Sequence, residues 1–173
     1  MGLASATLIR VVAANIQTLL EVPVEMLAPM AIPEDAFQPH RNQYDAGLIL
    51  KHLARFSFPH HPRVLAITDM DLCAPIFTYV FGEAELGLKL AIVSDFRLKD
   101  GEDGTPAPIS VHYERLAKVA LHEIAHTLSL YHCENPKCLM QVSPLVRNLD
   151  EVDIWFCERC SFVLRLNMKD FRI

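Results

Sequence analysis

His122-Glu123-Ile124-Ala125-His126-Thr127-Leu128-Ser129-Leu130-Tyr131-His132-Cys133 is the part of this 173-residue chain around which the rest can be arranged. Wound as a helix to about Leu130, it puts His122 and His126 one turn apart on one face, where two imidazoles can grip a single ion. Glu123 points about 100° away, out of reach of the ion but within reach of a water beside it. His132 is six residues beyond His126, too far along for the same face. It joins the other two only if the chain leaves the helix near Ser129 and doubles back. Three neutral nitrogens, one open coordination position and an adjacent carboxylate make a hydrolytic zinc site.

A bare His-Glu-x-x-His is five positions long and also arises on charged helix faces with two solvated histidines. Here His132 supplies a third donor, and Leu116, Val119, Ala120, Ile124 and Leu128 make the helix largely apolar. On a buried helix, two histidines and a glutamate are costly to desolvate without a metal to pair with. The expected chemistry follows from charge. Zinc lowers the pKa of its bound water from about 15.7 towards about 7. Glu123 takes the proton as that water attacks a peptide carbonyl, then returns it to the leaving amine as a general acid.

A second constellation follows at once. Cys133-x4-Cys138 is separated by 18 residues from Cys157-x2-Cys160, the arrangement of a four-thiolate structural zinc site, which is closed to water. Two disulfides or free thiols are the alternative, and disulfides belong to oxidising compartments. Because Cys133 is bonded to His132, a zinc held by the cysteines would also aim the third histidine. Cys73 stands apart and reads as a small buried residue. Met140 is either core filler or a methionine turn beneath the histidines, the sequel to a three-histidine motif. Two zinc ions are therefore expected, one catalytic and one structural.

Composition narrows the classes. Apolar residues make up 51% and charged residues 21%, ordinary globular values, and the length suits one domain over residues 1–173. Within it, residues 132–173 carry the methionine and the four cysteines. A formal charge of −5 leaves no basic surplus for nucleic acid, and no apolar run approaches the ~20 residues needed to span a bilayer. Met1 to Ala6 lack a basic stretch followed by an apolar signal core, and Ala6 does not fit an acylation signal. The expectation is a cytoplasmic protein, monomeric by default, acting on a peptide or protein substrate.

The remaining elements are read from periodicity and punctuation. Residues 6–14, rich in β-branched side chains, predict a buried strand, followed by a short helix over 16–21 capped by Asn15. Prolines at 29 and 33 allow only an irregular or edge strand over 24–34. A helix is expected over 43–56, a central strand over 63–68, and strands over 77–81 and 88–94. The motif helix is predicted over 110–130, a short helix over 150–156, and a tail from Ser161. His60 and His61 read as solvated, Asp69 and Asp71 as surface or capping acids, and Asp150, Glu151 and Asp153 as a solvated helix start. His112, nearly three turns before His122, has no assigned role. This order of elements suggests an α/β (α+β) domain with a mixed, mostly parallel sheet and helices packed on it.

Together these residues resemble the archaemetzincins, a family of metzincin-clan zinc metallopeptidases whose pattern is His-Glu-x-x-His-x-x-Gly-x-x-His-Cys, four residues, Cys, a nearby Met, and later Cys-x-x-Cys. His122, His126, His132, Cys133, Cys138, Cys157 and Cys160 match its metal-binding positions, Glu123 the general base and Met140 the methionine turn. More loosely, Tyr79 to Ala84 and Ala91 to Leu98 are similar to the strands that precede the family's helix. The resemblance implies a compact metzincin-like domain with two zincs and an edge strand for an extended peptide. One position departs: the family glycine is Ser129. If that position must be left-handed, serine costs roughly 1–2 kcal/mol; otherwise the turn is remodelled and His132 displaced. The rival reading is a zinc-stabilised binding protein with an inert histidine site.

Overall fold

The computed structural model describes residues 5–169; residues 1–4, read above for a leader, and 170–173 of the tail lie outside them. The chain begins with helix α1 (Ala6–Leu20), capped by the Ser5 hydroxyl, which accepts from the Thr7 N–H at 3.3 Å. This corrects the strand expected over 6–14 and the separate helix after Asn15, which lies inside α1. Leu8, Val12, Ile16 and Leu20 recur every four residues and are all buried. That helical stripe, packed against the motif helix, outweighs the strand preference of the β-branched side chains.

Strands β1 (Phe37–Gln38), β2 (Gln43–Asp45), β4 (Leu72–Ala74) and β5 (Phe77–Val80) form one ladder in the order β1-β2-β4-β5. A second ladder, β3-β7-β6, joins β3 (Val64–Thr68), β7 (Leu90–Ser94) and β6 (Gly82–Ala84). β2–β4 and β3–β7 pair in parallel, while β1–β2, β4–β5 and β6–β7 pair antiparallel. The architecture is mixed, but the sheet is not mostly parallel. β3, expected in the centre, stands at the end of its ladder, and fully buried β7 takes the middle. Tight connections such as β4–β5 impose antiparallel neighbours, and sequence periodicity does not reveal them.

Helix α2 (Ala46–Leu53) is shorter than expected because residues 43–45 pair as β2, and Asp45 caps it by accepting from the Leu48 N–H at 2.9 Å. The motif helix, α3, spans Ile109–Thr127. Apolar residues gather on two sides of β7: Leu90 and Ile92 with α2, Val93 with α1 and α3. The short helix α4 is Val146–Glu151, several residues earlier than expected, and the supposed tail contains helix α5 (Glu158–Asn167). Two acids also differ from expectation. Asp150 accepts from Nε and Nη2 of the buried Arg115, both at 2.7 Å, and Asp71 is held in the same way by Arg97.

Candidate active site

His122 and His126 leave the same face of α3, near its end. The helix stops in a defined way. The Ser129 N–H donates to the His126 carbonyl at 2.9 Å and the Leu130 N–H to the Ala125 carbonyl at 3.0 Å, the pair of bonds that closes a helix through a left-handed residue. That residue is Ser129, with φ of 63°, so the turn is kept and the serine bears the strain. Space for its side chain comes from Gly87 (φ 69°), where an added Cβ would lie 2.7 Å from the Ser129 hydroxyl. The Gly87 N–H also donates to the His126 carbonyl at 2.9 Å.

The turn brings His132 back. Its Nε2 lies 3.3 Å from that of His126, which is 3.0 Å from that of His122. The other ring nitrogens are committed: His122 Nδ1 donates to the Leu139 carbonyl at 2.8 Å and His126 Nδ1 to the Leu130 carbonyl at 2.7 Å. A carbonyl only accepts, so both Nδ1 atoms carry hydrogen and both Nε2 atoms present lone pairs. Two facing lone pairs at 3.0 Å have no proton to share; a cation between them resolves the conflict. Nitrogens about 2.0–2.1 Å from a tetrahedral zinc are roughly 3.3 Å apart, and the observed spacing fits.

Burial, reinforced by the charge of His126, depresses His122 to about 3 despite its bond to Leu139. His126 and His132 are also lowered by burial, which keeps all three rings neutral and able to ligate. Glu123 is 8% exposed. Burial and, second, the negative charge of Glu83 push its carboxyl up to about 8. β6 lies against it, and a Cβ on Gly82 would come 2.7 Å from Glu123 Cγ. Gly82 and Glu83 lie in the stretch Tyr79 to Ala84 that resembles the family's strands, but only the hairpin of β6 and β7 brings them against Glu123. His112, left without a role, is buried with its Nε2 3.6 Å from Asp95 and outside the cluster.

The four cysteines meet behind the histidines. Cys133 Sγ and Cys157 Sγ are 3.8 Å apart, close to the roughly 3.8 Å expected between sulfurs on a tetrahedral zinc with bonds of about 2.3 Å. Backbone N–H groups of Cys157 and Met140 point at Cys138 Sγ, at 3.4 and 3.5 Å, and oppose the burial that pushes its thiol up. Burial acts to raise the Cys157 thiol, but the Cys160 N–H and the neighbouring sulfurs outweigh it and lower it. Among the described residues these two groups, His122, His126 and His132, and Cys133, Cys138, Cys157 and Cys160, are the ones that could hold a metal ion. Cys73 is buried and apart, as expected.

One strip of chain joins the clusters. Cys138 is in the sulfur group, the Leu139 carbonyl holds His122, and the Met140 carbonyl accepts from the Cys133 N–H at 2.8 Å. Met140 itself is fully buried.

Comparison with known proteins agrees with this geometry. The pattern of Peptidase family M54 is matched over residues 6–166. The chain belongs to Peptidase family M54. It is 38% identical over 136 residues to the archaemetzincin of Methanocaldococcus jannaschii, covering 79% of this chain and 74% of that one. Among solved structures, the archaemetzincin of Methanopyrus kandleri superposes with a TM-score of 0.86 at 29% identity, over 97% of this chain and 92% of that one. A zinc-dependent peptidase from Methanocorpusculum labreanum gives 0.83 at 32% identity, over 93% and 95%. The mixed α/β fold of this M54 chain is thus shared along nearly its whole length.

Proposed function

We propose that this chain is a zinc-dependent peptidase in which His122, His126 and His132 hold the catalytic zinc, Glu123 is the general base, and Cys133, Cys138, Cys157 and Cys160 hold a structural zinc. The observation that carries this is the convergence of three Nε2 atoms at 3.0 and 3.3 Å beside a cavity lined by His122, His132 and Glu123. A zinc ion there supplies a positive charge that acidifies water and polarises a peptide carbonyl.

The chain's own residues do the rest. The Leu139 and Leu130 carbonyls orient the His122 and His126 rings so that each turns its Nε2 towards the neighbouring imidazoles. Glu123 accepts a proton on a carboxylate oxygen from the attacking water. It then passes that proton to the nitrogen of the leaving amine. Gly82 keeps its backbone close to that carboxylate without a clash. β5 stands at the end of its ladder, and an extended peptide pairs with it there. Met140, fully buried and next to Leu139, whose carbonyl orients His122, is read as the methionine turn. Five cysteines, none in a disulfide, suit a reducing compartment such as the cytoplasm. Among the described residues no helix is long and apolar enough to cross a membrane.

The test combines element-resolved metal analysis with digestion of a peptide library by wild type and Glu123→Ala. Two zincs per chain in both proteins, with cleavage by wild type alone, is the expected result. Equal cleavage by the variant removes Glu123 from its role. A single zinc per chain with no cleavage favours the binding-protein alternative.

A further inference from the structure

Two hollows meet at Tyr79. The first, about 200 Å³, lies beside Glu123 and has an apolar wall that includes Tyr79, Phe81, Val119, Leu139 and Val142. The second, about 360 Å³, shares Tyr79 and Phe81 but is otherwise lined by polar groups, Arg97, Asp100 and Glu102, and by Leu145 and Val146. The chain is divided in the same way: Ser143 and Pro144 face the first hollow, Leu145 and Val146 the second. The Tyr79 hydroxyl donates to the Pro144 carbonyl at 3.0 Å, so the phenol reaches from β5 to this segment along the border.

The ring is also braced. Arg97 Cζ sits 4.1 Å from its centroid, a cation–π distance, and that guanidinium is fixed by two bonds of 2.7 Å to Asp71. Phe81 meets Tyr79 edge-on with centroids 5.5 Å apart. A side chain held at its tip, on one face and at one edge is a wall, not a mobile surface residue.

We infer that Tyr79 is the specificity-determining partition of this site. It closes the apolar pocket beside Glu123, restricts the substrate side chain seated there to a compact apolar one, and shuts off the charged hollow beyond. This rests on the reading above, that a peptide lies across Glu123 and the three histidines. Removing the phenol joins the two hollows and admits longer side chains; removing only its hydroxyl releases the tip of the ring from Pro144 while Arg97 and Phe81 still hold its face and edge.

The test uses zinc-loaded protein and short peptide hydroxamates identical except for one side chain, isobutyl or phenylpropyl, with Kd measured by calorimetry. Wild type should prefer isobutyl. In Tyr79→Ala the preference should move at least tenfold towards phenylpropyl, with isobutyl affinity falling as its wall is lost. Tyr79→Phe, which keeps the ring on Arg97 and Phe81, should move it about threefold, and it decides the matter if Tyr79→Ala does not fold. An unchanged ratio in the folded variants overturns the partition. Digestion of a peptide library by the same proteins separates the two readings. Hydroxamates that obey the length rule while no peptide is cut would remove the peptidase but keep the partition. Peptides cut with one side-chain ranking in every protein would remove the partition alone.

Discussion

The histidine cluster and the cysteine cluster touch the same short strip of chain but are assembled differently. The cysteines close on themselves: Cys138 and Cys160 are buried, and backbone N–H groups turn towards the sulfur of Cys138. Four protein donors leave nothing for solvent. The histidines stop at three, with His132 exposed, and two of them, His122 and His126, are oriented by main-chain carbonyls. A closed site can only hold a fold together; an open one can do chemistry, but something else must keep it in shape. Here residues 138–140 make the connection, since they supply a sulfur, the carbonyl that orients His122 and the carbonyl that anchors Cys133.

The largest expected effect tests the closed site. Cys138→Ser should lose the structural zinc, at a cost on the order of 10 kcal/mol, and should take the histidine site with it. Thermal unfolding with metal analysis checks this, and a variant that keeps its fold and its catalytic zinc would uncouple the two clusters. The reverse should not hold. Glu123→Gln should lower kcat by about 10²–10⁴-fold with both zincs retained and the unfolding midpoint no lower, because an amide is cheaper to bury than a carboxylate.

Smaller effects address the joining strip and the exit turn. Met140→Ala, by opening a cavity at a fully buried position, should cost about 2–5 kcal/mol. It should weaken zinc retention at both clusters, as measured by chelator competition; loss at one alone would show that the strip does not connect them. The smallest change is at Ser129. Ser129→Gly relieves a left-handed residue worth roughly 1–2 kcal/mol, offset in part by the freer unfolded chain. A net gain of about 1 kcal/mol in denaturant unfolding is expected, with zinc affinity at the histidines unchanged. A loss of stability would mean that the serine hydroxyl packed on Gly87 matters more than the strain.

Much of the site was legible because its logic is local. A separation of four residues puts His122 and His126 on one helical face whatever surrounds them, and the spacing of the paired cysteines points to a four-thiolate site. The rival account of an inert binding module loses ground for the same reason: the rings and sulfurs lie at distances zinc accommodates. Legibility failed wherever two patterns compete over a short stretch. Residues 6–14 satisfy a strand by composition and a helix by the four-residue recurrence of Leu8, Val12, Ile16 and Leu20. Their packing on α3 chose the helix. Likewise, α5 was hidden because Cys157 and Cys160 read as ligands before they read as the start of a helix.

Spacing along the chain therefore settled which residues gather, since donor count and helical period are properties of neighbours. Folding settled what surrounds them. The parallel pairings β2–β4 and β3–β7, the Leu139 carbonyl that aims His122, the Gly82 backbone beside Glu123 and the reach of Tyr79 to Pro144 all join residues far apart in sequence. Such contacts depend on how whole elements stack, and no short window of sequence contains both partners.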